Sequence, residues 1–160
     1  MTAPAVRMPE ADDEPEWLRL RRELWPDCGA DQQELEMGTV LADADRAAVF
    51  VSPAARGLAG FLEVALRPWQ EGCPGSPVAY VEALYVAPAE RGRGVARVLL
   101  EAAEAWARDR GCRAIAADTP DGNQAGRATH RQLGYAEAGM RVRMIKTLLP
   151  ERIEAEGPPA

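Results

Sequence analysis

The chain has 160 residues, with 25 aspartates and glutamates against 19 lysines and arginines, and its formal net charge is −6. A chain of this length fits one domain with its own hydrophobic core, and the acidic balance argues against a nucleic-acid partner held through phosphates. The three cysteines are widely spaced and match neither a zinc site nor a disulfide framework, so we expect free thiols and no metal. Residues 1–10 lack a secretion signal, and no stretch has the roughly 20 apolar residues of a membrane span. These features predict a cytoplasmic protein without a membrane partner.

The first part of the chain is predicted to contain helices followed by strands. Apolar residues at helical spacing, the N-cap candidates Asp12 and Asp13 and a stop at Pro26 predict the first helix. Alternating apolar residues predict the strands, with a turn over residues 52–57. In chain order these elements are a short strand, two helices and two strands, over residues 5–8, 14–25, 30–41, 47–51 and 58–66.

The apolar, β-branched run at residues 78–88 predicts a buried central strand. A glycine-rich turn and an amphipathic helix ended by Gly111 follow it. The later elements are a strand, a short helix closed by Gly134 and an alternating strand, over residues 112–118, 123–133 and 140–149. We assign residues 1–150 to a single domain and expect residues 151–160 to form a disordered tail.

The turn at residues 91–96, Arg-Gly-Arg-Gly-Val-Ala, carries the strongest chemical indication. Backbone N–H groups at a helix N-terminus attract an anion, and glycine lets a phosphate approach closely. The turn lacks the lysine of a Walker P-loop and the glycine spacing of a dinucleotide fingerprint. It therefore predicts a pyrophosphate-binding turn. The alternative is a glycine turn that only reverses the chain.

This turn resembles the acetyl-CoA signature of the GNAT superfamily of N-acetyltransferases, and the order of elements over residues 78–135 resembles that family too. The resemblance implies an α/β (α+β) fold with a mixed, mostly antiparallel sheet that splays after the central strand, flanked by helices. It also implies acetyl-CoA as co-substrate. The residues expected to bind it are Leu84, Tyr85, Val86, Arg91, Gly92, Arg93, Gly94, Val95, Ala96, Asn123 and His130.

Four segments further resemble the aminoglycoside 6′-N-acetyltransferases: residues 23–26, 66–86 and 104–119, and Asn123 with His130 before a Leu-Gly-Tyr sequence. This resemblance implies acetyl transfer to the 6′ amine of an aminoglycoside, with resistance by modification. Ala83, Leu84 and Gly126 depart from the expected pattern and bear on substrate preference. The alternatives are a GNAT enzyme for another amine, such as a polyamine, lysine or protein N-terminus, and a non-catalytic module that binds acetyl-CoA.

A polycationic aminoglycoside needs carboxylates for its ammonium groups and aromatic faces for its rings. Glu82 lies within the apolar central strand, where an unpaired charge is costly, so it needs a cleft or a structural arginine. Asp118 ends a strand and is either a substrate ligand or a turn former. The remaining candidates are Glu137, Trp25 and Trp69, with a surface charge as the alternative for Glu137 and core packing as the alternative for Trp25.

Acetyl transfer requires a neutral amine, a proton acceptor, a polarised thioester carbonyl and a protonated leaving thiolate. Glu82 or Asp118, directly or through a water, is expected to position the amine and accept its proton. The family's geometry implies that the Val86 N–H polarises the carbonyl. His130 is the only histidine; it either donates a proton to the thiolate or packs against the sheet. Tyr135 is expected to be structural.

The predicted strand at residues 140–149 is long and apolar on one face, so we expect it to be an open sheet edge. An open edge favours pairing between copies of the chain. We therefore predict a homodimer, although Arg141, Arg143 and Lys146 are charges of the kind that protect an edge.

Overall fold

The computed structural model describes residues 2–120, 122–138 and 143–148. Its helices are α1 (Glu14–Leu24), α2 (Ala30–Ala42), α3 (Val95–Asp109) and α4 (Gln124–Gln132). Its strands are β1 (Ala47–Pro53), β2 (Leu58–Arg67), β3 (Val78–Val86), β4 (Ala114–Asp118), β5 (Ala136–Ala138) and β6 (Arg143–Thr147). The predicted tail, residues 140–142 and residue 149 lie outside the described residues.

Within the described residues, six strands form one sheet in the order β1-β2-β3-β4-β6-β5. Strand β1 pairs with β2, β4 with β6 and β5 with β6 in the antiparallel sense, and β3 pairs with β4 in the parallel sense. The predicted mixed, mostly antiparallel sheet with a central β3 is therefore confirmed. The predicted short strand at residues 5–8, all of which are described, forms a single antiparallel bridge, between Arg7 and Val51.

The prediction that the last strand is an open edge is wrong. Ile145 of β6 pairs with Ala116 of β4 on one side and with Ala136 of β5 on the other. The residues directly after Tyr135 form strand β5, which pairs with one side of β6 while β4 pairs with the other. Both sides of the β6 backbone therefore have partners. Among the described strands, β5 ends the sheet on this side.

The chain divides into two compact units, and the division falls within β2, β3 and α3. The first unit comprises residues 1–65 and 82–103. Its apolar core forms because α1, α2, β1 and β2 each bury one apolar face, which removes that surface from water. The buried members are Trp17, Leu20, Met37, Val49, Val51, Leu58, Phe61 and Ala83.

The second unit comprises, among the described residues, 66–81, 104–120, 122–138 and 143–148. A small buried cluster joins Cys73, Val78, Tyr80, Ala114 and Ala116. An ion pair between Lys146 and the buried carboxylate of Glu104 also belongs to this unit.

All three cysteines of the chain are free thiols, as predicted, and burial raises the pKa of Cys73 to about 11.

Candidate functional site

The turn before α3 is open on the side of its two glycines. Gly92 and Gly94 have φ angles of +76° and +84°, a conformation that suits glycine. A Cβ built on either residue meets no atom within 4 Å, so the surrounding space is unfilled. The first intrahelical bond runs from the Val98 N–H to the Gly94 carbonyl at 3.2 Å. The N–H groups that precede it at an α-helix start have no intrahelical acceptor. This geometry fits an anionic ligand at a helix N-terminus.

The end of β3 lies next to this turn in the sequence, and Arg91 connects the two. Arg91 Nε donates to the Val86 carbonyl at 3.0 Å, and the guanidinium lies 5.6 Å from the centre of the Tyr85 ring. The Tyr85 hydroxyl donates to Glu23 of α1 at 2.8 Å. Partial burial and the nearby Glu23 carboxylate raise the Tyr85 pKa, so the hydroxyl stays protonated. The end of β3 is thus fixed to α1 in the first unit.

Glu82 is exposed, although it lies within the apolar strand β3. Glu82 is therefore not a buried charge, and of the two alternatives the exposed position agrees with a side chain that reaches a cleft; its role stays a prediction. Successive side chains of a strand point to opposite faces, and Glu82 alternates with the buried Val81 and Ala83. A buried charge in the sheet is instead Glu63 of β2, which is 3% exposed and forms an ion pair with Arg21.

Asp118 is exposed at the end of β4, and its carboxylate lies 3.4 Å from the Arg143 Nε in β6. The Arg143 guanidinium therefore neutralises part of the negative charge that we expected Asp118 to present to a cationic substrate. The paired residues of the parallel β3/β4 ladder end at Val81 and Ala117. Glu82 and Asp118 directly follow these two residues in the sequence.

Glu137 on β5 accepts from Arg127 at 2.8 Å and from Arg131 at 2.7 Å. These two guanidinium groups lower the pKa of its carboxyl to about 2. Because both partners are cations, the charge of Glu137 is already balanced. This contact favours the surface-charge interpretation over a substrate ligand.

The two candidate tryptophans have different surroundings. Trp25 follows α1, is half-buried and packs against the core of the first unit. Trp69 lies after β2 and is 40% exposed. Trp69 is thus available at the surface, whereas Trp25 combines core packing with a partly exposed face.

His130 of α4 is buried, and its Nδ1 lies 2.7 Å from the Gly126 carbonyl. A carbonyl only accepts, so the Nδ1 must donate, and Nε2 then carries a proton only in the imidazolium form. Burial lowers the His130 pKa, which disfavours that form. The ring also packs edge-on against Tyr135, with centroids 5.2 Å apart. These contacts favour the packing alternative over proton donation to a thiolate.

The helix that carries His130 is capped by Asn123, whose side-chain oxygen accepts the Gly126 N–H at 3.0 Å. Tyr135 is buried, as expected of a structural residue, and burial raises its pKa.

A cavity of about 630 Å³ in the first unit was not foreseen from the sequence. It is lined by Arg19, Arg22 and Glu23 on α1 and by residues 26–30 of the connection to α2. The only indication in the sequence was the Glu-Leu-Trp-Pro segment that ends the helix. The cavity is lined by side chains of both charge signs, and its lining residues Glu23 and Pro26 lie on either side of Leu24 and Trp25 in the sequence.

Comparison with known sequences identifies the family. The model of the acetyltransferase (GNAT) family matches residues 16–135, which include the open turn and all of α3 and α4. The chain belongs to this family. A structurally similar protein is AAC(6′)-Iy in complex with the bisubstrate analogue CoA-S-monomethyl-acetylneamine. It aligns with a TM-score of 0.80 and 32% identity, over 86% of this chain and 94% of that one.

Two relatives of this GNAT chain are named aminoglycoside N(6′)-acetyltransferase type 1. The protein from Klebsiella aerogenes is 40% identical over 139 residues, which cover 85% of this chain and 91% of the relative. The protein from Stenotrophomonas maltophilia is 43% identical over 138 residues, which cover 85% and 88%.

No helix in the described part of the chain is both long and apolar enough to cross a membrane. Among the same residues, no group of three or more His, Cys, Asp or Glu side chains is arranged to hold a metal ion.

Proposed function

We propose that this GNAT chain transfers acetyl from acetyl-CoA to the 6′ amine of aminoglycosides. The observation that carries the proposal is the open glycine turn before α3, in a chain about 40% identical to enzymes named for that reaction. Backbone N–H groups at an uncovered helix start, together with the helix dipole, favour a small anionic group such as a phosphate. A pyrophosphate meets this requirement.

The proposed acetyl-CoA residues are those that match the family's signature. The N–H groups of residues 91–96 bind the pyrophosphate, and the main chain of residues 84–86 aligns the pantetheine arm. Arg91 adds a positive charge next to both segments, through its bond to the Val86 carbonyl. Asn123 and His130 are proposed further contacts. Acetyl-CoA supplies the thioester from which the acetyl group is transferred.

The proposed acceptor residues are Glu82 and Asp118, each exposed and each at the end of the paired β3/β4 segment. A carboxylate holds an ammonium group and accepts its proton as the amine attacks, directly or through a water. The Val86 N–H is proposed to polarise the thioester carbonyl. Trp25 and Trp69 are proposed to cover the sugar rings. Glu137 is left out of the proposed acceptor residues, because Arg127 and Arg131 already balance its charge.

A thiol-release assay tests the activity. The wild-type protein is assayed with kanamycin, tobramycin, spermidine and a lysine peptide, and with a tobramycin analogue that has a 6′ hydroxyl. We expect turnover of kanamycin and tobramycin and little turnover of the other three acceptors, because the 6′ amine is the acceptor group. Equal turnover of the hydroxyl analogue would overturn the 6′ assignment, and turnover of spermidine or the peptide alone would overturn the aminoglycoside assignment.

We expect Glu82→Gln and Asp118→Asn each to lower kcat/KM for tobramycin by about 10-fold or more, the scale of a lost charge-assisted contact or of general-base help. The acetyl-CoA KM should remain unchanged. Glu101→Gln, an exposed glutamate on α3, is the matched control. Wild-type kcat/KM in both variants across pH 6 to 9 would place the acceptor site elsewhere.

The cellular setting and assembly are also proposals. Three free thiols are compatible with the reducing cytoplasm, where acetyl-CoA is available, and expression there should confer aminoglycoside resistance. The homodimer stays a prediction, but β6 no longer supports it because both its sides are paired. Sedimentation at tens of micromolar would decide between a dimer and a monomer.

A further inference from the structure

A buried arginine connects α1, α2 and β2 within the first unit. Arg21 is 1% exposed, and its guanidinium donates to Glu63, to Glu36 at 2.6 Å and to Gln33 at 2.9 Å. Glu63 also accepts from the Trp17 indole at 3.0 Å. A buried charge persists only when its donors are satisfied, and Arg21 has three acceptors, two on α2 and one on β2.

Gln33 of α2 completes this network at the end of α1. Its side chain is fully buried, and its oxygen accepts from Arg21 Nε. Its amide nitrogen donates to the Trp25 carbonyl at 3.2 Å and to the Arg21 carbonyl at 3.4 Å. The Arg21 carbonyl also accepts the Trp25 N–H at 2.8 Å, and the Trp25 carbonyl also accepts the Cys28 N–H at 3.1 Å. Gln33 is thus a second donor to both carbonyls, from a side chain of α2, at the end of α1.

Trp25 is fixed at two points by this arrangement. It is the C-cap of α1, with φ −125° and ψ 72°, so the backbone leaves the helical conformation at this residue. Gln33 holds its carbonyl, and the Arg21 guanidinium, held by Gln33, lies 4.7 Å from the centre of its ring. The next residues, Pro26 and Asp27, line the cavity described above.

We propose that Gln33 is a positioning residue for aminoglycoside binding, which acts by fixing the main chain and ring of Trp25. The inference rests on the proposed function, since it requires Trp25 to contact the acceptor. Gln33 itself touches no substrate. A fixed tryptophan face stacks on a sugar ring without first losing side-chain freedom, so the loss of Gln33 weakens substrate binding rather than the chemical step.

The test compares KM and kcat in a double-mutant cycle of Gln33→Met and Trp25→Ala with tobramycin and acetyl-CoA. Methionine keeps the volume of glutamine but neither donates to the Trp25 carbonyl nor accepts from Arg21 as an amide does. We expect Gln33→Met to raise the tobramycin KM by about 10-fold, the scale of one aromatic contact, with kcat and the acetyl-CoA KM unchanged. In the Trp25→Ala background, Gln33→Met should change KM by less than about twofold, because the two residues act as one unit.

Gln32→Met is the matched control, since Gln32 is the exposed neighbour on the same helix and donates to Glu36 at 3.0 Å. If Gln33→Met does not fold, Gln33→Glu replaces it. The carboxylate still accepts from Arg21 but cannot donate to the Trp25 carbonyl, so the same KM increase is expected. An unchanged KM in the Gln33 variants, full additivity in the cycle or an unchanged KM in Trp25→Ala would each overturn this inference and leave acetyl transfer standing. Absence of aminoglycoside turnover by the wild-type protein would overturn the proposed function itself, and this inference with it.

Discussion

The starts of α3 and α4 show two ways in which the chain treats the donors at a helix N-terminus. At α4, the Asn123 side chain accepts the Gly126 N–H at 3.0 Å, and a Cβ on Gly126 would lie 2.5 Å from the Asn123 amide nitrogen. At α3, a Cβ on Gly92 or Gly94 would meet no atom within 4 Å. The start of α4 is closed by its own cap, and the start of α3 is open.

The difference teaches that a glycine next to a helix is not by itself a ligand site. Gly126 makes room for an intramolecular cap, whereas Gly92 and Gly94 leave room for a group from outside the chain. Both helix starts have the same dipole, which favours negative charge. Only the open start also leaves space in which an anion can reach the N–H groups.

The largest expected effect comes from filling the open start. We expect Gly94→Glu to abolish the thermal stabilisation by acetyl-CoA, because the side chain occupies the turn, its charge repels a pyrophosphate and φ of +84° strains any non-glycine residue. The measurement is the change in Tm with added acetyl-CoA. Gly38→Glu, at an equally open position of α2, is the control and should keep the full shift. A full shift in Gly94→Glu would remove the cofactor assignment.

Local patterns predicted the helices and most strand bounds. Helix α2 was expected over residues 30–41 and spans Ala30–Ala42, and α3 begins at Val95, within the last two residues of the predicted turn. These elements depend on apolar spacing and on proline or glycine at their ends, which are properties of neighbouring residues.

The side-chain partners could not be predicted in the same way. Glu63 and Glu82 both interrupt apolar strands, and a single sequence does not tell which strand face is covered. The structure buries Glu63 and exposes Glu82. A weak indication was present, because Trp17 and Arg21 are four residues apart and so lie on one face of α1, where both contact Glu63. Strand β5 was not predicted because its three residues, Ala136–Ala138, are too few to show an alternating pattern.

The next effect concerns His130, which is buried near the C-terminal end of α4, the helix capped by Asn123. We expect His130→Ala to lower the free energy of unfolding by about 1 to 3 kcal/mol, since it removes a buried hydrogen bond and the contact with Tyr135. The kcat per folded molecule should remain near the wild-type value. Chemical denaturation and single-turnover kinetics measure the two quantities, and a loss of kcat at unchanged stability would instead support proton donation.

The same residue predicts a pH effect. Burial lowers the His130 pKa below its ordinary value of 6.5, so the unfolded chain takes up this proton at a higher pH than the folded chain. The stabilising contribution is therefore complete above pH 6.5 and is lost as the pH falls below it. Denaturation of wild-type protein and His130→Gln between pH 8 and 5 should show a smaller loss of stability in the variant. Parallel profiles would contradict this assignment.

The smallest expected effect tests whether the closed start of α4 also serves the cofactor. Asn123→Ala removes the cap and should lower the free energy of unfolding by about 1 kcal/mol, whereas Asn123→Asp keeps the accepting oxygen and should preserve stability. The cap uses the side-chain oxygen, so a contact of Asn123 with acetyl-CoA would have to use the amide nitrogen, which aspartate lacks. We therefore expect Asn123→Asp to reduce the Tm shift with acetyl-CoA at unchanged ligand-free stability. A full shift in the aspartate variant would leave Asn123 as a helix cap alone, and the open turn before α3 as the helix start that binds the cofactor.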